Sequence, residues 1–470
     1  MKNVKYLLFV FIIGLTSCET ALEQAPVSDI TQSNAFQNED DAESAIIGCY
    51  NQLQTAMTGN QAVANFVAWG DARADEILTN DTGGSIVVIS ENLLTTTNGF
   101  VDWSAWYRLI NNANTTIVNV PEIENISADK QNQIVGEALF LRSLAYFYLV
   151  RLWGDVPVVL TPFTSSNDEF QVSQSPKGSV LEQIITDLSV AEGMVPTSYS
   201  GNDATRGRAT VGALNALQAH VYAWRARVEN GGDADLQAAL SATNKILGNS
   251  SYSPWSNYEA VFADENTPET IFSVQFNLDV FDDNNLSSSF LKEPYNERLR
   301  ASIEFDPLFL TFIEARPNDV RIDVIKQEAG PSDLVNDPFV VKYKGKGQTA
   351  QGFSTSDDNV PIFRLTGIQL LKAEILAAQG SLMEAMTIVN DIRTRAGLAN
   401  NVANTQDAVL DAVLDERYIE LFAEGHRWFD LIRNGKATQL DDILNEEHLL
   451  WPISVQELTQ NPNLVQNSFY

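Results

Sequence analysis

The chain has 470 residues, 44% hydrophobic and 19% charged, and its 61 acidic side chains outnumber 30 basic ones to give a formal charge of −31. This composition belongs to a globular protein rather than a disordered one. An acidic surface repels nucleic-acid phosphates and anionic lipid headgroups, which excludes both as partners, whereas an uncharged ligand such as a neutral sugar is not repelled.

The first element is an export signal. Lys2 and Lys5 precede an apolar run, YLLFVFIIGL over residues 6–15, that is too short for a comfortable membrane span. The sequence LTSC over residues 15–18 follows, a branched apolar residue, two small residues and a cysteine. This is the pattern of a bacterial lipobox, in which the cysteine thiol takes a diacylglycerol and becomes the first mature residue. Residues 1–17 are thus read as a lipoprotein signal peptide and Cys18 as the lipidated residue. Their removal takes away two lysines and no acid, which leaves a charge of −33. No other stretch reads as long and apolar enough to span a bilayer, so the lipid would be the anchor. Residues 18–33 are polar and read as a tether. With Cys18 lipidated, Cys49 has no partner, and neither a disulfide framework nor a multi-cysteine metal site is possible.

Residues 80–100 and 201–207 are rich in Gly, Thr, Asn and Ser and read as non-helical. Between and after them, apolar residues recur at steps of three or four. Ile134, Ala138, Leu141, Ala145, Tyr148 and Leu152 form one such stripe, and Ala213, Leu217, Val221, Trp224 and Val228 a second. Ile368, Leu371, Ile375 and Ala378, then Leu382, Ala385, Val389 and Ile392, give two more. Gly380 between them suits a left-handed helix end, and Ser381 with Glu384 predicts a capping box. Pairs such as 209–230 with 234–247 and 367–379 with 381–396 have the geometry of tetratricopeptide-type repeats, without a strict sequence period. Residues 249–359 mix proline, glycine, aromatics and short β-prone runs such as residues 271–276, and read as an irregular insert. Long loops on a rigid helical scaffold are where binding concentrates.

Glu416, Glu420 and Glu424 fall at i, i+4 and i+8 on one predicted helix, with His426 nearby. A glycosidase needs two carboxylates on opposite sides of a sugar, and one helix ridge cannot supply them. Arg417, Arg427 and Arg433 lie at spacings that would neutralise the acids, so a structural ion network is the preferred reading and His426 a satisfied helix-end residue. There is no HExxH, no GxSxG and no Walker loop, and Gly345-Lys346-Gly347 reads as a turn. No catalytic residue, metal site or cofactor is predicted.

Several long motifs resemble the SusD/RagB family of nutrient-binding outer-membrane lipoproteins of Bacteroidetes. They are ERYIELFAEGHRWFDL over residues 416–431, LWPI over 450–453, NPNL over 461–464, RLWGDVP over 151–157 and IVNDIRTRAGL over 388–398. Ala373 and Glu374 with Gly380 also match, while Thr366-Gly367 stands where the family more often has Ala-Glu. The resemblance implies a mainly α fold, in which about four tetratricopeptide-like helix pairs support an irregular, loop-rich ligand-binding half. It implies one domain over residues 34–470, helical mainly over 34–248 and 360–435, with the insert at about 249–359. It also implies a TonB-dependent, SusC-like barrel as partner, with this protein as its lid at the cell surface.

Sugars present apolar ring faces and a rim of hydroxyls, which proteins match with aromatic platforms and polar side chains. Trp153, Trp428 and Trp451 sit in the family-like motifs, Trp224 lies on a helix core face, and Trp69 and Trp106 read as core. That leaves Trp103 and Trp255, in or beside loops, with Phe281 and Tyr295 in the insert, as stacking candidates. Asp282, Asp283, Asn284 and Asn285 beside them are the expected hydroxyl ligands. The sequence thus reads as a glycan-capturing surface lipoprotein and not an enzyme. A lipoprotein that takes peptides or glycoprotein glycans is the alternative, and a polysaccharide-degrading enzyme fits less well.

Overall fold

The computed structural model describes residues 35–59, 63–79, 84–165, 170–277, 283–328, 337–440 and 442–470. The lipobox, with Cys18, lies outside them, as do Phe281 and Asp282.

Among the described residues, nine long helices carry the fold. They are α1 (Glu39–Thr58), α2 (Ser104–Asn119), α3 (Ala128–Trp153), α4 (Lys177–Ala191), α5 (Val211–Val228), α6 (Gly232–Leu247), α7 (Leu365–Ala378), α8 (Leu382–Arg395) and α9 (Gln406–Glu420). Asn38, Ser127, Thr210 and Thr405 open α1, α3, α5 and α9 with side-chain bonds to orphan backbone N–H groups. Helices α1 and α2, α3 and α4, α5 and α6, and α7 and α8 form four packed pairs, and α9 covers the last. The architecture is the mainly α, tetratricopeptide-like scaffold expected from the sequence.

Alanine sets the spacing of the later pairs. Ala219, Ala223 and Ala226 of α5 meet Ala239 and Ala242 of α6, with Leu371 and Ile375 of α7 filling between them. Ala373 and Ala377 of α7 meet Ala385 of α8 and Ala412 of α9. Small side chains let the helix backbones approach closely while Leu and Ile fill the remaining volume. Two pairs are also pinned by ion pairs. Arg142 of α3 meets Asp187 of α4 at 2.8 Å, and Arg225 of α5 meets Asp235 of α6 at 2.6 Å.

Four local expectations are corrected. Gly380 does adopt the left-handed conformation, with φ of +81°, but Ser381 makes no capping bond. Its ψ of 58° departs from the extended N-cap geometry that aims a side-chain oxygen at the first turn. Residues 201–207 are not a plain linker, since Asn202–Gly207 is a short helix. The 80–100 stretch includes a helix at Ser85–Ser90 and a 3-10 turn at Gly99–Val101. Helix α3 is long and apolar enough to cross a membrane, yet it is buried inside the fold as a core helix.

Among the described residues, strands form only two-stranded antiparallel pairs. The longest joins Thr270–Val274 to Val360–Arg364, so it closes the irregular insert at its base and delivers the chain directly into α7. The insert is therefore held at both ends on the scaffold. Gly70 and Gly425 mark another close approach, because a Cβ on Gly70 would lie 2.2 Å from the Gly425 carbonyl carbon.

Candidate functional site

The acidic ridge is a charge knot without an open face. Arg321 reaches Glu420 at 2.8 Å, Glu416 at 2.5 Å and Asp319 at 2.7 Å. Arg364 reaches Glu420 at 2.8 Å and Glu424 at 2.7 Å, and Lys342 meets Glu424 at 2.6 Å. Burial alone would raise Glu420, but Arg364 and Arg321 bring it down to about 2. The cations expected from local spacing serve elsewhere. Arg417 binds Asp430, Arg427 binds Asp75, and Arg433 binds Glu374 and Asp430. Fully paired carboxylates on one ridge cannot act as acid and base on a sugar. His426 stacks on His220 with ring centroids 6.1 Å apart.

This knot also claims Trp255. Its indole N–H donates to Glu420 at 3.0 Å, Tyr258 packs edge-on at 5.3 Å, and the Arg395 guanidinium lies 4.9 Å from its ring. Trp255 is buried, so the expectation of a free sugar platform there is corrected. Asn284 is likewise a structural residue, because it is buried and its amide donates to the Asp358 carbonyl and accepts from Leu286 N–H. Asp283 is exposed and accepts from Asn285 N–H at 2.8 Å. Asn285 is half-buried, with φ of +60°, at the start of a short helix. Tyr295 is half-buried beside Phe339 and donates to Gln327 at 3.0 Å. Trp103 belongs to a different neighbourhood, against Tyr107 and Trp153. The structure thus keeps Asp283, Asn284 and Asn285 on one segment, and it sets Trp103, Trp255 and Tyr295 in separate aromatic clusters.

A cavity of about 630 Å³ lies where α1 and the Asn202–Gly207 helix meet the end of strand Thr270–Val274. Asn51, Gln54, Asn266, Gln275, Asn277 and Asn359 give it an amide-rich lining. Several of these amides are fixed by one another. Asn266 donates to Gln275 at 2.7 Å and accepts back at 3.0 Å, and Asn359 donates to the same Gln275 oxygen at 3.0 Å. Two cations line the cavity, and both are compensated. Arg208 makes two 2.8 Å bonds to Glu137, and Lys346 meets Glu265 at 2.8 Å. Asp203 and Asp264 also line the cavity, so a neutral polar ligand meets fixed donors and acceptors beside paired cations.

In sequence, the predicted binding segment follows a residue of this cavity's lining. Asn277 lines it and lies four positions before Phe281. Beyond the undescribed residues the chain is stitched back through Asn284, whose N–H donates to Ser356 at 2.9 Å, next to the Asp358 and Asn359 wall. Asp358 is pushed up to about 7 by burial and by Glu265. Sequence reasoning missed Gln275, Asn266 and Asn359, because amides far apart in the chain carry no periodic signal.

Two family descriptions match the chain, the SusD family over residues 335–448 and "Starch-binding associating with outer membrane" over residues 23–223. SusD-like protein P38 of Formosa agariphila is 27% identical, with 100% of this chain and 99% of the relative covered. A SusD superfamily protein from Parabacteroides distasonis superposes with a TM-score of 0.80 at 25% identity, covering 94% of this chain and 100% of its own. A laminarin-binding SusD-like protein shares the fold, with a TM-score of 0.78 at 22% identity over 93% of this chain and 100% of its own. The tetratricopeptide-like helical scaffold, the C-terminal motif of residues 416–431 and these matches together make the chain a member of the SusD/RagB family.

Proposed function

We propose that the protein is a non-catalytic surface lipoprotein that captures oligosaccharides and passes them to a TonB-dependent, SusC-like barrel in the outer membrane. Cys18 carries the lipid, and residues 18–33 tether the domain 34–470 to the membrane. The observation that carries the reading is the amide-lined cavity of about 630 Å³ with its cations neutralised, in a chain similar along its whole length to SusD-like proteins. Starch in the family description and laminarin in a structural relative are both neutral glucans, which suits such a lining.

In this reading Phe281 supplies a stacking face, since Phe272 and Phe276 of the cavity are buried and Tyr50 is held by its hydrogen bond to Glu137. Asp282, Asp283 and Asn285 of the same segment bind hydroxyls at the rim, and Tyr295 supports the segment. The paired state of Glu416, Glu420 and Glu424 argues against hydrolysis by that ridge.

The test is purification of the tagged protein from native outer membranes, followed by presentation to an array of neutral oligosaccharides that includes laminarin and starch fragments. Co-purification of a TonB-dependent barrel and binding without product release are expected. A protein that arrives alone and binds no glycan, or that shortens the glycan, overturns the proposal.

A further inference from the structure

A second concave site lies elsewhere on the scaffold. It is a cleft of about 540 Å³ lined by the start of α2, by Pro157, Val159, Phe163, Phe170 and Val172, and by the short C-terminal helix Val455–Gln460. It shares no lining residue with the amide cavity. Four aromatics line it, Trp103, Tyr107, Phe163 and Phe170. Phe163 and Phe170 pack with centroids 4.7 Å apart, and Phe170 remains 53% exposed. A paired aromatic left this open in a cleft is an apolar face that no described element covers.

The polar half of the cleft is equally built. Glu457 stands beside Trp103, while Arg108 and Asn112 of α2 are exposed in the same lining. Glu457 and Arg108 carry one charge of each sign, so the cleft has no net bias. Its walls are fixed before any ligand arrives. Asn111 accepts from Phe163 N–H at 2.8 Å, Tyr107 donates to the Pro157 carbonyl at 2.9 Å, and Asn461 donates to the Val172 carbonyl at 2.8 Å. Such preorganisation lowers the entropic cost of binding.

We propose that this cleft is a second glycan-binding site, which takes one or two pyranose units by stacking on Phe170 and Phe163 and by hydrogen bonds to Glu457, Arg108 and Asn112. The inference rests on the glycan-binding reading of the protein and adds a second point of attachment to it. Two sites on one rigid scaffold would hold a long polysaccharide by avidity while each releases short products readily.

The experiment is isothermal titration of the purified mature protein with the oligosaccharide that gives the strongest array signal, together with the Phe170→Ala, Phe170→Tyr and Ala204→Trp variants. Ala204 lines the amide cavity, so the tryptophan fills it. Wild type is expected to bind two equivalents, Phe170→Ala one, Ala204→Trp one and Phe170→Tyr two. Affinity for the long polymer should fall about tenfold or more in Phe170→Ala. One equivalent in wild type, unchanged by Phe170→Ala, overturns the second site and leaves the glycan reading intact. No binding by wild type to any array member overturns both.

Discussion

Glu420 and Arg364 meet at 2.8 Å where three parts of the molecule converge. Glu420 ends α9, while Arg364 ends strand Val360–Arg364 and opens α7. The pair thus ties the irregular insert to the helical scaffold. It has no room to act on a ligand, because Arg321, Glu424 and Trp255 fill the remaining directions.

Removal of one partner leaves a buried charge uncompensated. Glu420→Ala should therefore lose about 3–5 kcal/mol of stability in urea unfolding. Glycan affinity of the folded fraction should stay at the wild-type value. A stable Glu420→Ala protein with impaired sugar binding would move the functional site onto α9.

Stability should peak on the acid side of neutrality. Glu420 is depressed to about 2 from an ordinary 4.5, so its contribution is present above about 4.5 and is lost as pH falls toward 2. Glu269 and Asp358 are raised to about 7, chiefly by burial, so they favour the fold in their protonated form. That contribution is full below about 4 and is lost as pH rises through 7. Thermal melts from pH 3 to pH 8 should give the highest Tm near about pH 5, and Glu269→Gln should flatten the decline above it. A Tm that climbs steadily from pH 5 to pH 8 would contradict this assignment.

Lipidation is a separate test of the N-terminal reading. Cys18→Ala should abolish palmitate labelling and leave the protein soluble or as an uncleaved precursor. The other cysteine cannot substitute for it. Cys49 is buried against Thr116, and burial pushes its thiol up to about 12. Unchanged labelling and membrane fractionation would remove Cys18 from the account.

Much of the scaffold was legible because helix periodicity is a local signal. The stripe from Ile134 to Leu152 became α3, and Gly380 turned the chain between α7 and α8 as its position suggested. What failed was non-local or too short to be periodic. The six residues of Asn202–Gly207 cannot display a helical repeat. The acids at 416, 420 and 424 were rightly read as a network, but their partners Arg321, Arg364 and Lys342 lie 56 to 99 positions earlier in the chain. Trp255 sits in a coil stretch, where nothing in the sequence indicates that Glu420 receives its N–H. The amide cavity was invisible for the same reason, since Gln275 and Asn359 become neighbours only when strands Thr270–Val274 and Val360–Arg364 pair.

Phe281 is the proposed stacking residue and can be tested on its own. Phe281→Ala should weaken oligosaccharide binding by about tenfold, the loss expected for one stacking aromatic, with melting unchanged. Wild-type affinity in the folded variant would place the stacking face on another residue.

The most direct measurement is oligosaccharide titration of Ala204→Trp made in the Phe170→Ala background, which leaves the amide cavity as the one open site. The tryptophan removes no hydrogen-bonding side chain, and Asn51→Ala in the same background serves where the larger residue disturbs folding. With melting preserved, binding heat should vanish in the first variant and affinity should drop severalfold in the second. Undiminished binding by both folded variants would contradict capture of glycan in this cavity.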